Sequence, residues 1–310
     1  MVTQPPVVSI GLAVYNGEKY IREAVDSILN QTFTDFELII SDNASTDQTE
    51  KICRAYAAQD ERIRYHRNSV NIGGANNENQ TCQMARGKYF RWAAHDDVCA
   101  PTLLEKCVAA LDENPDVVLS YSIIVHIDEK GNHLKALDDD VGLSPKASTR
   151  FKALSNFWDH NCETTYGLMR LDVLKLTGLQ RNYTDSDRTL LCHMGLYGRF
   201  LRIPEPLFYK RIHGDMSTVV YRDFRERMAW FSESYQNKIT FPYWMQFFHY
   251  LEIITKTPLP FSEKMLCYLH MIRWLIDERR WGKMIKDIII AIRKTMRRPH
   301  NSASSAVRDW

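Results

Sequence analysis

The chain has 310 residues, 45% of them hydrophobic, and a formal net charge of +2 at pH 7. This composition is that of a globular protein with a full hydrophobic core, either as one large domain or as a domain with an appendage. The net charge is too small to indicate a nucleic-acid partner.

Two further features bear on the cellular compartment. The seven cysteines are scattered and form no C-x-x-C pair, which favours reduced thiols over a disulfide framework or a zinc site. The apolar run at residues 7–15 follows no basic leader and breaks at Asn16 and Gly17, so we expect neither a signal peptide nor a membrane span there. We therefore expect a cytoplasmic protein.

Apolar runs typical of strands alternate with helical patterns from the start of the chain. Predicted strands cover residues 7–15, 36–41, 62–67, 88–94 and 116–126. Predicted helices lie at residues 18–31, from the capping-box pair Ser45 and Gln48 to residue 58, at residues 75–85, and from Pro101 onward. This order predicts an α/β fold with a doubly wound, mainly parallel sheet and flanking helices.

Three polar clusters follow predicted strands of this sheet. They are Tyr15-Asn16-Gly17, Ser41-Asp42-Asn43 and His95-Asp96-Asp97. Each cluster alone is also typical of a turn or a helix cap. Ligands of open α/β sheets bind beyond the carboxyl ends of the strands, so the three together favour a ligand site.

The adjacent Asp96 and Asp97 require a compensating charge, because an ionised carboxylate is costly to bury. Hard divalent cations bind oxygen ligands, and Mg²⁺ typically uses one or two carboxylates together with water and substrate phosphates. A metal carrying a nucleoside diphosphate supplies the missing charge and stabilises that diphosphate as a leaving group. Asp42, at the neighbouring strand end, can accept a hydrogen bond from the ring N–H of uracil or guanine.

The segments "VSIGLAVYNGEKYIREAVDSILNQTFTDFELIISDNASTDQT", "NIGGANNENQ", "ARGKYFRWAAHDD" and "YKRIHGDMS" resemble, in this order and spacing, the family-two glycosyltransferases of the GT-A fold. The resemblance extends roughly from Pro6 to Ser217. It implies an inverting transferase that uses a nucleotide-sugar donor and a divalent metal, Mn²⁺ or Mg²⁺. The nucleoside diphosphate of this donor is expected to be UDP, GDP or dTDP.

The resemblance assigns site residues by position. Asp97 is the expected metal ligand, with His213 near the metal or the diphosphate. Asp96 is expected at the ribose, Arg211 at the diphosphate charge, and the backbone at Asn71 and Gly73 close to the nucleotide. The expected nucleotide-sugar site thus consists of Ala13, Tyr15, Asn16, Asp42, Asn71, Gly73, Asp96 and Arg211.

The third carboxylate of this family is the base that deprotonates the acceptor hydroxyl. The segment "NYTDSDRTLLCHMGLYGRF" resembles the family motif in which an acid opens a helix that ends at Gly-Arg-Phe. Counting back from Gly198 places Asp187 at the motif's Asp, with Ser186 replacing its Glu. Asp185 is the alternative, and either acid can instead cap the helix.

Three positions depart from the family pattern. His95 stands where the D-x-D motif has its first Asp, Ser41 where many members have another Asp, and Ala13 where many have Thr or Ser. These departures bear on the ribose contact, the metal preference and the identity of the nucleotide's base.

Residues 135–162 are expected to form an irregular segment at the border of the acceptor site, since loops this long in a domain are usually functional. Phe157 and Trp158 within it can stack on a sugar face or pack in the core, and we expect packing.

The chain after residue 220 becomes helical in pattern, so we expect a catalytic domain at residues 1–220 and a helical extension at residues 221–310. Residues 279–298 contain eight Lys or Arg and one acid, Asp287, beside an apolar stripe at helical spacing. Such a helix either lies on an anionic membrane surface or packs on the catalytic domain.

The resulting hypothesis is an inverting glycosyltransferase that acts on a glycan or lipid-linked acceptor in the synthesis of cell-surface polysaccharide or glycolipid. It is expected in the cytoplasm, with possible peripheral contact at the inner face of the membrane. A non-catalytic, membrane-associated assembly factor that keeps the fold is the alternative. A nucleotidyltransferase requires a Gly-rich loop after the first strand, which "AVYNGEKY" lacks.

Overall fold

The structure is a computed structural model that describes residues 4–156, 162–220, 227–228, 235, 238–277 and 280–296. Its strands are β1 (Val8–Val14), β2 (Phe36–Asp42), β3 (Ile63–Arg67), β4 (Tyr89–Ala93), β5 (Val98–Cys99), β6 (Val117–Ile127), β7 (His133–Leu137), β8 (Leu168–Arg170) and β9 (Arg199–Arg211). Its helices are α1 (Ile21–Leu29), α2 (Thr49–Gln59), α3 (Gly74–Met84), α4 (Leu103–Glu113), α5 (Ala147–Ser155), α6 (Leu171–Leu176), α7 (Ser186–Tyr197), α8 (Ser217–Val220), α9 (Pro242–Lys256), α10 (Phe261–Asp277) and α11 (Arg280–Met296). A 3-10 turn lies at Glu163–Tyr166.

The strands form one mixed sheet in the order β3-β2-β1-β4-β8-β6-β9-β5, and β7 pairs with β6. Strands β1 to β4 pair in parallel, as do the long strands β6 and β9. Strand β8 runs antiparallel between β4 and β6, and β5 and β7 are antiparallel additions. The carboxyl ends of β1, β2 and β4 therefore lie along one edge.

A hydrophobic core lies on each face of the sheet. Helices α1, α2 and α4 contribute Ile21, Ile52 and Leu104 to the first core. Helices α3, α5 and α7 contribute to the second, through Cys82, Phe151 and Leu190 among others. Helices on both faces of a mainly parallel sheet are the doubly wound arrangement that the alternating pattern predicts.

The predicted start of α2 is wrong. The helix begins at Thr49, whose N–H donates a hydrogen bond to Asp47 Oδ1 at 2.9 Å. The Ser45 hydroxyl instead accepts a hydrogen bond from the backbone N–H of Asn16 at 2.9 Å. A capping box is therefore not formed, because Ser45 is used to join two strand-end turns.

The segment at residues 135–162 contains more regular structure than predicted. Strand β7 extends β6 as a hairpin, and α5 follows it. Four of the five residues of β7 are exposed, so the strand lacks the apolar alternation by which a half-buried strand is recognised. Phe157 and Trp158 lie outside the described residues.

The helical extension packs on the second core. The rings of Phe151 in α5 and Tyr250 in α9 are 5.6 Å apart, and those of Tyr250 and Trp274 in α10 are 5.7 Å apart. The Trp274 indole N–H donates a hydrogen bond to the backbone oxygen of Ser155 at 3.3 Å. Helices α9 and α10 thus share one core with α5 and α7.

Helix α11 packs on α9 and α10 with one side and exposes the other. The Trp244 indole N–H of α9 donates to the Met284 backbone oxygen at 3.1 Å, and the Arg280 guanidinium lies 4.0 Å from the Trp274 ring centroid. The exposed side carries Trp281, Ile285, Ile288, Ile289 and Ile292. Within the described ranges, no helix is both long and apolar enough to cross a membrane.

The cysteines are free thiols, and six of the seven are buried. Burial raises the pKa of Cys53, Cys82 and Cys192 to about 12. These side chains act as small apolar residues of the core.

Replacing Trp274 by Ala should lower the free energy of unfolding by about 3–5 kcal/mol, the range for removing a large aromatic side chain from a core. Trp274 is 3% exposed and joins α10 to both α5 and α9. The matched control is Trp281→Ala, since Trp281 is 55% exposed. It should change the stability by less than ~0.5 kcal/mol in denaturant unfolding followed by circular dichroism. Equal losses in the two variants would contradict a core shared with the extension.

Candidate active site

The turns that follow β1 and β2 are joined by hydrogen bonds. The N–H of Asn43 donates to the Val14 backbone oxygen at 2.8 Å, and the N–H of Thr46 donates to Asn16 Oδ1 at 2.8 Å. Asn16 adopts a left-handed φ of 51°, which Asn tolerates better than most residues. Ala13 pairs in register with Ser41 on β2. Next to them, Tyr15 is exposed at the strand end.

The turn after β4 lies directly against the turn after β1. A Cβ atom at Gly17 would stand 2.7 Å from a carbon of the His95 ring, so this approach requires a glycine. The N–H of Gly17 donates to the Thr49 hydroxyl at 2.8 Å. The structure thus brings together the three polar clusters that follow β1, β2 and β4.

Asp42 is fully buried at the end of β2. Its Oδ1 accepts a hydrogen bond from the N–H of Ser45 at 2.8 Å, and its Oδ2 accepts from the Tyr65 hydroxyl at 2.7 Å and from Arg67 at 2.9 Å. Sequence reasoning missed Tyr65 and Arg67, although their spacing of two residues on β3 places both on one side of the sheet. Direct contact between Asp42 and a nucleotide base remains a prediction.

The segment before α3 is held against the β2 end by asparagine side chains. Asn43 Nδ2 donates to Asn71 Oδ1 at 2.8 Å, and the N–H of Gly73 donates to the same oxygen at 2.9 Å. Gly73 has a φ of 84° and precedes the first turn of α3. The structure therefore places Asn71 and Gly73 beside the predicted nucleoside site.

Asp96 is paired with His213, which follows β9. The distance from His213 Nε2 to Asp96 Oδ2 is 2.8 Å, and the His213 ring also lies 5.0 Å from the Tyr20 ring. Although burial opposes it, the hydrogen bond from His213 lowers the pKa of Asp96. The structure thus brings His213, predicted near the metal or the diphosphate, into contact with Asp96, predicted at the ribose.

Asp97 is the less compensated member of the acidic pair. It is 5% exposed, and Oδ1 accepts a hydrogen bond from the backbone N–H of Arg211 at 2.9 Å. Burial, followed by the charge of Asp96, raises the pKa of Asp97 to about 8. A carboxylate in this environment is stabilised by a nearby cation.

Arg211 directs its guanidinium to protein groups. Nε donates to the backbone oxygen of Asp96 at 3.0 Å, and Nη2 binds Glu23 of α1 at 2.6 Å. Nη1 reaches the backbone oxygens of Asp128 and Glu129 at 3.2 Å. These contacts position the Asp96–Asp97 turn, and a contact of Arg211 with the diphosphate remains a prediction.

The two base candidates lie at the start of α7. Asp185 occupies the N-cap position with a left-handed φ of 66°, and its side chain makes no capping hydrogen bond within the described part of the chain. Burial, followed by the charge of Asp187, raises the pKa of Asp185 to about 6. Burial also raises the pKa of Asp187, against the charges of Arg188 and Lys210. Asp187 Oδ1 accepts a hydrogen bond from the N–H of Arg188 at 2.8 Å.

Lys210 connects the acidic pair to the base candidates. Its Nζ lies 2.9 Å from Glu163 Oε1, and His126 Nε2 lies 3.0 Å from Glu163 Oε2. The ammonium lies close enough to act on the pKa of both Asp97 and Asp187. Sequence reasoning did not find this group, because its members come from β6, β9 and the turn before β8.

Two further side chains near Asp187 were not predicted. Burial, followed by the charge of Asp187, raises the pKa of Glu78, on α3, to about 8. Tyr166 lies within electrostatic reach of Glu78, Asp96, Asp97 and Asp187, and burial raises its pKa. Glu78 lies on α3, a helix with few apolar residues. The sequence of this helix therefore did not mark Glu78 as a site residue.

The predicted ligands Asp97 and His213 offer a carboxylate and an imidazole, which suit a divalent ion that keeps several non-protein ligands, and His213 Nε2 is hydrogen-bonded to Asp96 in this structure. No three His, Cys, Asp or Glu side chains converge into a ready metal site among the residues that the structure describes. Mg²⁺ and Mn²⁺ accept one or two carboxylates and complete their shells with water and phosphate oxygens, and Mn²⁺ also accepts imidazole. The charge of a bound cation would offset the burial and the repulsion from Asp96 that raise the pKa of Asp97.

A family model described as glycosyl transferase family 2 matches residues 9–177. An uncharacterized glycosyltransferase of Methanocaldococcus jannaschii is 39% identical over 132 residues, which cover 42% of this chain and 46% of that protein. An uncharacterized glycosyltransferase of Rickettsia prowazekii is 36% identical over 224 residues, 69% of this chain and 66% of that protein. The chondroitin synthase of Escherichia coli is 35% identical over 227 residues, 71% of this chain and 31% of that protein.

The chain thus spans less than two thirds of the length of these three relatives. Among solved structures, S. aureus TarS in complex with UDP-GlcNAc is similar with a TM-score of 0.63 at 18% identity, over 92% of this chain and 81% of that chain. The mannosyltransferase PcManGT from Pyrobaculum calidifontis, in complex with GDP-Man and Mn²⁺, has a TM-score of 0.52 at 16% identity, over 96% and 89% of the two chains.

The structural likeness shows the GT-A fold and confirms the fold class predicted from the sequence. The family model covers more than half of the chain, and the Rickettsia relative is more than 30% identical over more than two thirds of it. The chain therefore belongs to glycosyltransferase family 2.

Proposed function

We propose that the protein transfers a sugar from a nucleotide-diphosphate sugar to a hydroxyl of a glycan or lipid-linked acceptor, with inversion at the anomeric carbon. The observation that carries the proposal is the group of buried and partly buried carboxylates on which the charge of Lys210 acts, in the Asp96–Asp97 turn and at the start of α7. The complexes of TarS with UDP-GlcNAc and of PcManGT with GDP-Man support a nucleotide-sugar donor. The match to a chondroitin synthase supports a role in polysaccharide synthesis.

The donor is proposed to bind across the edge of the sheet. The nucleoside lies at the ends of β1 and β2, near Ala13, Tyr15, Asn16 and Asp42, and the ribose lies at Asp96. Asn71 and Gly73 approach the nucleotide through their backbone. Asp97 and His213 would hold a divalent ion, which would supply Lewis-acid stabilisation of the departing diphosphate. The Mn²⁺ of the PcManGT complex supports this choice of metal.

The acceptor hydroxyl is proposed to lose its proton to Asp187. Burial keeps the pKa of Asp187 above its ordinary value, which makes the carboxylate a stronger base. The charges of Arg188 and Lys210 oppose this rise. The deprotonated oxygen then attacks the anomeric carbon opposite the departing diphosphate, and this single in-line displacement gives inversion.

The chain is proposed to consist of a catalytic domain at residues 1–220 and an extension at residues 221–310. The exposed apolar side of α11, together with its lysines and arginines, supports peripheral contact with an anionic membrane at the cytoplasmic face. A lipid-linked acceptor would then lie at the same surface as the enzyme.

The purified protein should release nucleoside diphosphate from one of a panel of UDP-, GDP- and dTDP-sugars when Mn²⁺ or Mg²⁺ is present. Asp97→Asn keeps the shape of the side chain and an acceptor for the Arg211 N–H, and it removes the charge that holds the metal. It should remove the metal-dependent part of the nucleotide affinity and leave the fold intact. Asp112→Asn, at an exposed carboxylate on α4, is the control.

The same variants allow a second readout. The pKa of about 8 at Asp97 means that the carboxyl is largely protonated at pH 7, so binding of metal and nucleotide should release a proton. Calorimetric titration in buffers of different ionisation enthalpy measures this release, and Asp97→Asn should reduce it. Metal-independent turnover, or equal affinity of both proteins with saturating Mn²⁺, would contradict the proposed site. Failure of every donor would favour the non-catalytic assembly factor.

Asp187→Asn should keep the donor affinity and lower the transfer rate by about 10²–10⁴-fold, the effect of removing a general base. Asp185→Asn is the matched control, because asparagine also tolerates the left-handed backbone at this position. It should retain most of the rate in single-turnover transfer with saturating donor. A larger loss in Asp185→Asn would move the base to Asp185, and no loss in either variant would place the base elsewhere.

Lys210→Met should raise the pKa of Asp187, because an ammonium that lowers this pKa is removed. The base must be ionised, so the acidic limb of the kcat/KM profile should move to higher pH by roughly one unit or less. Lys210→Arg keeps the charge and should leave this limb in place. The profiles require saturating metal, since Lys210 also acts on Asp97. An unchanged limb in Lys210→Met would show that the lysine does not tune the base.

A further inference from the structure

Helix α10 carries an apolar stripe that no described part of the chain covers. Its members recur at helical spacing and are exposed: Phe261, Met265, Leu266, Leu269, Ile272 and Ile276. The opposite side of the helix is buried through Cys267, Met271 and Trp274. Soluble monomers rarely expose so many large apolar side chains on one element, so this stripe indicates an interaction surface.

Helix α11 repeats this arrangement. Met284, Asp287 and Ala291 are buried, whereas Trp281 and four isoleucines are exposed on the opposite side. Both helices direct their buried sides toward α9, since Trp274 contacts Tyr250 and Arg280 contacts Gln246. The exposed stripes of both helices therefore face away from α9. We refer to the exposed stripes of α10 and α11, with the basic residues beside them, as the α10–α11 face.

Among the side chains that the structure describes, the exposed charges of this face are positive: Arg273 on α10 and Lys283, Lys286 and Arg293 on α11. Of the acids described there, Glu263 is partly buried and accepts a hydrogen bond from the Ser148 N–H at 2.7 Å, and Asp287 is buried. Lys286 and Arg293 lie two turns apart and therefore form a basic row beside the apolar stripe. The face thus combines apolar and cationic groups.

We propose that α10 and α11 form a single docking face for an anionic lipid surface, in which the α10 stripe enters the boundary of the acyl chains and the basic residues of α11 contact the headgroups. Helices that lie in the membrane interface have this combination of an apolar stripe and flanking Lys or Arg. This inference rests on the peripheral association proposed above and adds α10 as its main apolar contact. It does not depend on sugar transfer.

Charge decides between a lipid surface and a second copy of the chain. A symmetric dimer through this face would bring its basic residues near those of the partner, because the same patch is used on both subunits. Like charges at such an interface are unfavourable. An anionic surface neutralises these charges while it takes up the apolar stripe.

The test uses the full-length protein and sedimentation with vesicles of phosphatidylcholine alone or mixed equally with phosphatidylglycerol. Leu269→Gln with Ile272→Gln should weaken binding to the mixed vesicles by at least about tenfold, since each apolar side chain contributes to insertion. Leu134→Gln is the matched control, because Leu134 is 58% exposed on β7, and Leu269 and Ile272 are 53% and 58% exposed. It should bind as the unaltered protein does.

Charge is tested separately by Lys286→Glu with Arg293→Glu. This variant should lose binding to the mixed vesicles, and added salt should weaken the unaltered protein in the same way. Lys51→Glu, on the exposed side of α2, is the control.

Three outcomes would overturn the inference. Equal binding of the Leu269/Ile272 variant and the unaltered protein would leave membrane contact to α11 alone. Absence of binding by the unaltered protein would overturn both membrane proposals, whereas donor turnover would still be measured in solution. Self-association that the same glutamines abolish, seen by analytical ultracentrifugation without lipid, would assign the face to a second copy.

Discussion

The placement of two adjacent carboxylates after β4, Asp97 buried and Asp96 mostly so, is the constraint on which the rest of the site depends. Asp96 is paired with His213, and Asp97 receives the backbone N–H of Arg211, so both partners come from the end of β9. Arg211 in turn holds Glu23 of α1 and the turn after β6. The end of β9 is thereby tied to the first half of the chain at this turn, while its path beside β6 is set by the parallel pairing of the two strands.

The extension supports the opposite side of the site. The loop before α7 is held from one side by Asn79, whose side chain bonds both backbone groups of Gln180. From the other side, the Tyr183 hydroxyl lies 2.6 Å from His249 Nδ1 on α9. Burial lowers the pKa of His249 to about 3, so the ring is neutral at physiological pH. The position of the two base candidates therefore depends on packing far along the chain.

The sequence was sufficient for the features that depend on local pattern. Continuous apolar runs predicted the parallel strands, and polar residues at their ends located the site, because parallel strands deliver their carboxyl ends to one edge. The exposed strand β7 has no such pattern and was missed. Contacts between distant positions were also missed: nothing local predicts that Arg211 binds Glu23 of α1. The contact of Lys210 with Glu163 likewise joins segments that only the folded sheet brings together.

The buried thiols have a practical consequence for studies of how the molecule opens. Only the thiolate reacts rapidly with alkylating reagents, and the raised pKa of Cys53, Cys82 and Cys192 keeps this form scarce in the folded protein. Cys53 lies in the core beneath α1 and α2, and Cys192 and Cys267 lie in the core shared with the extension. Alkylation rates at these positions, read by mass spectrometry, therefore report the opening of each half of the molecule without any introduced label.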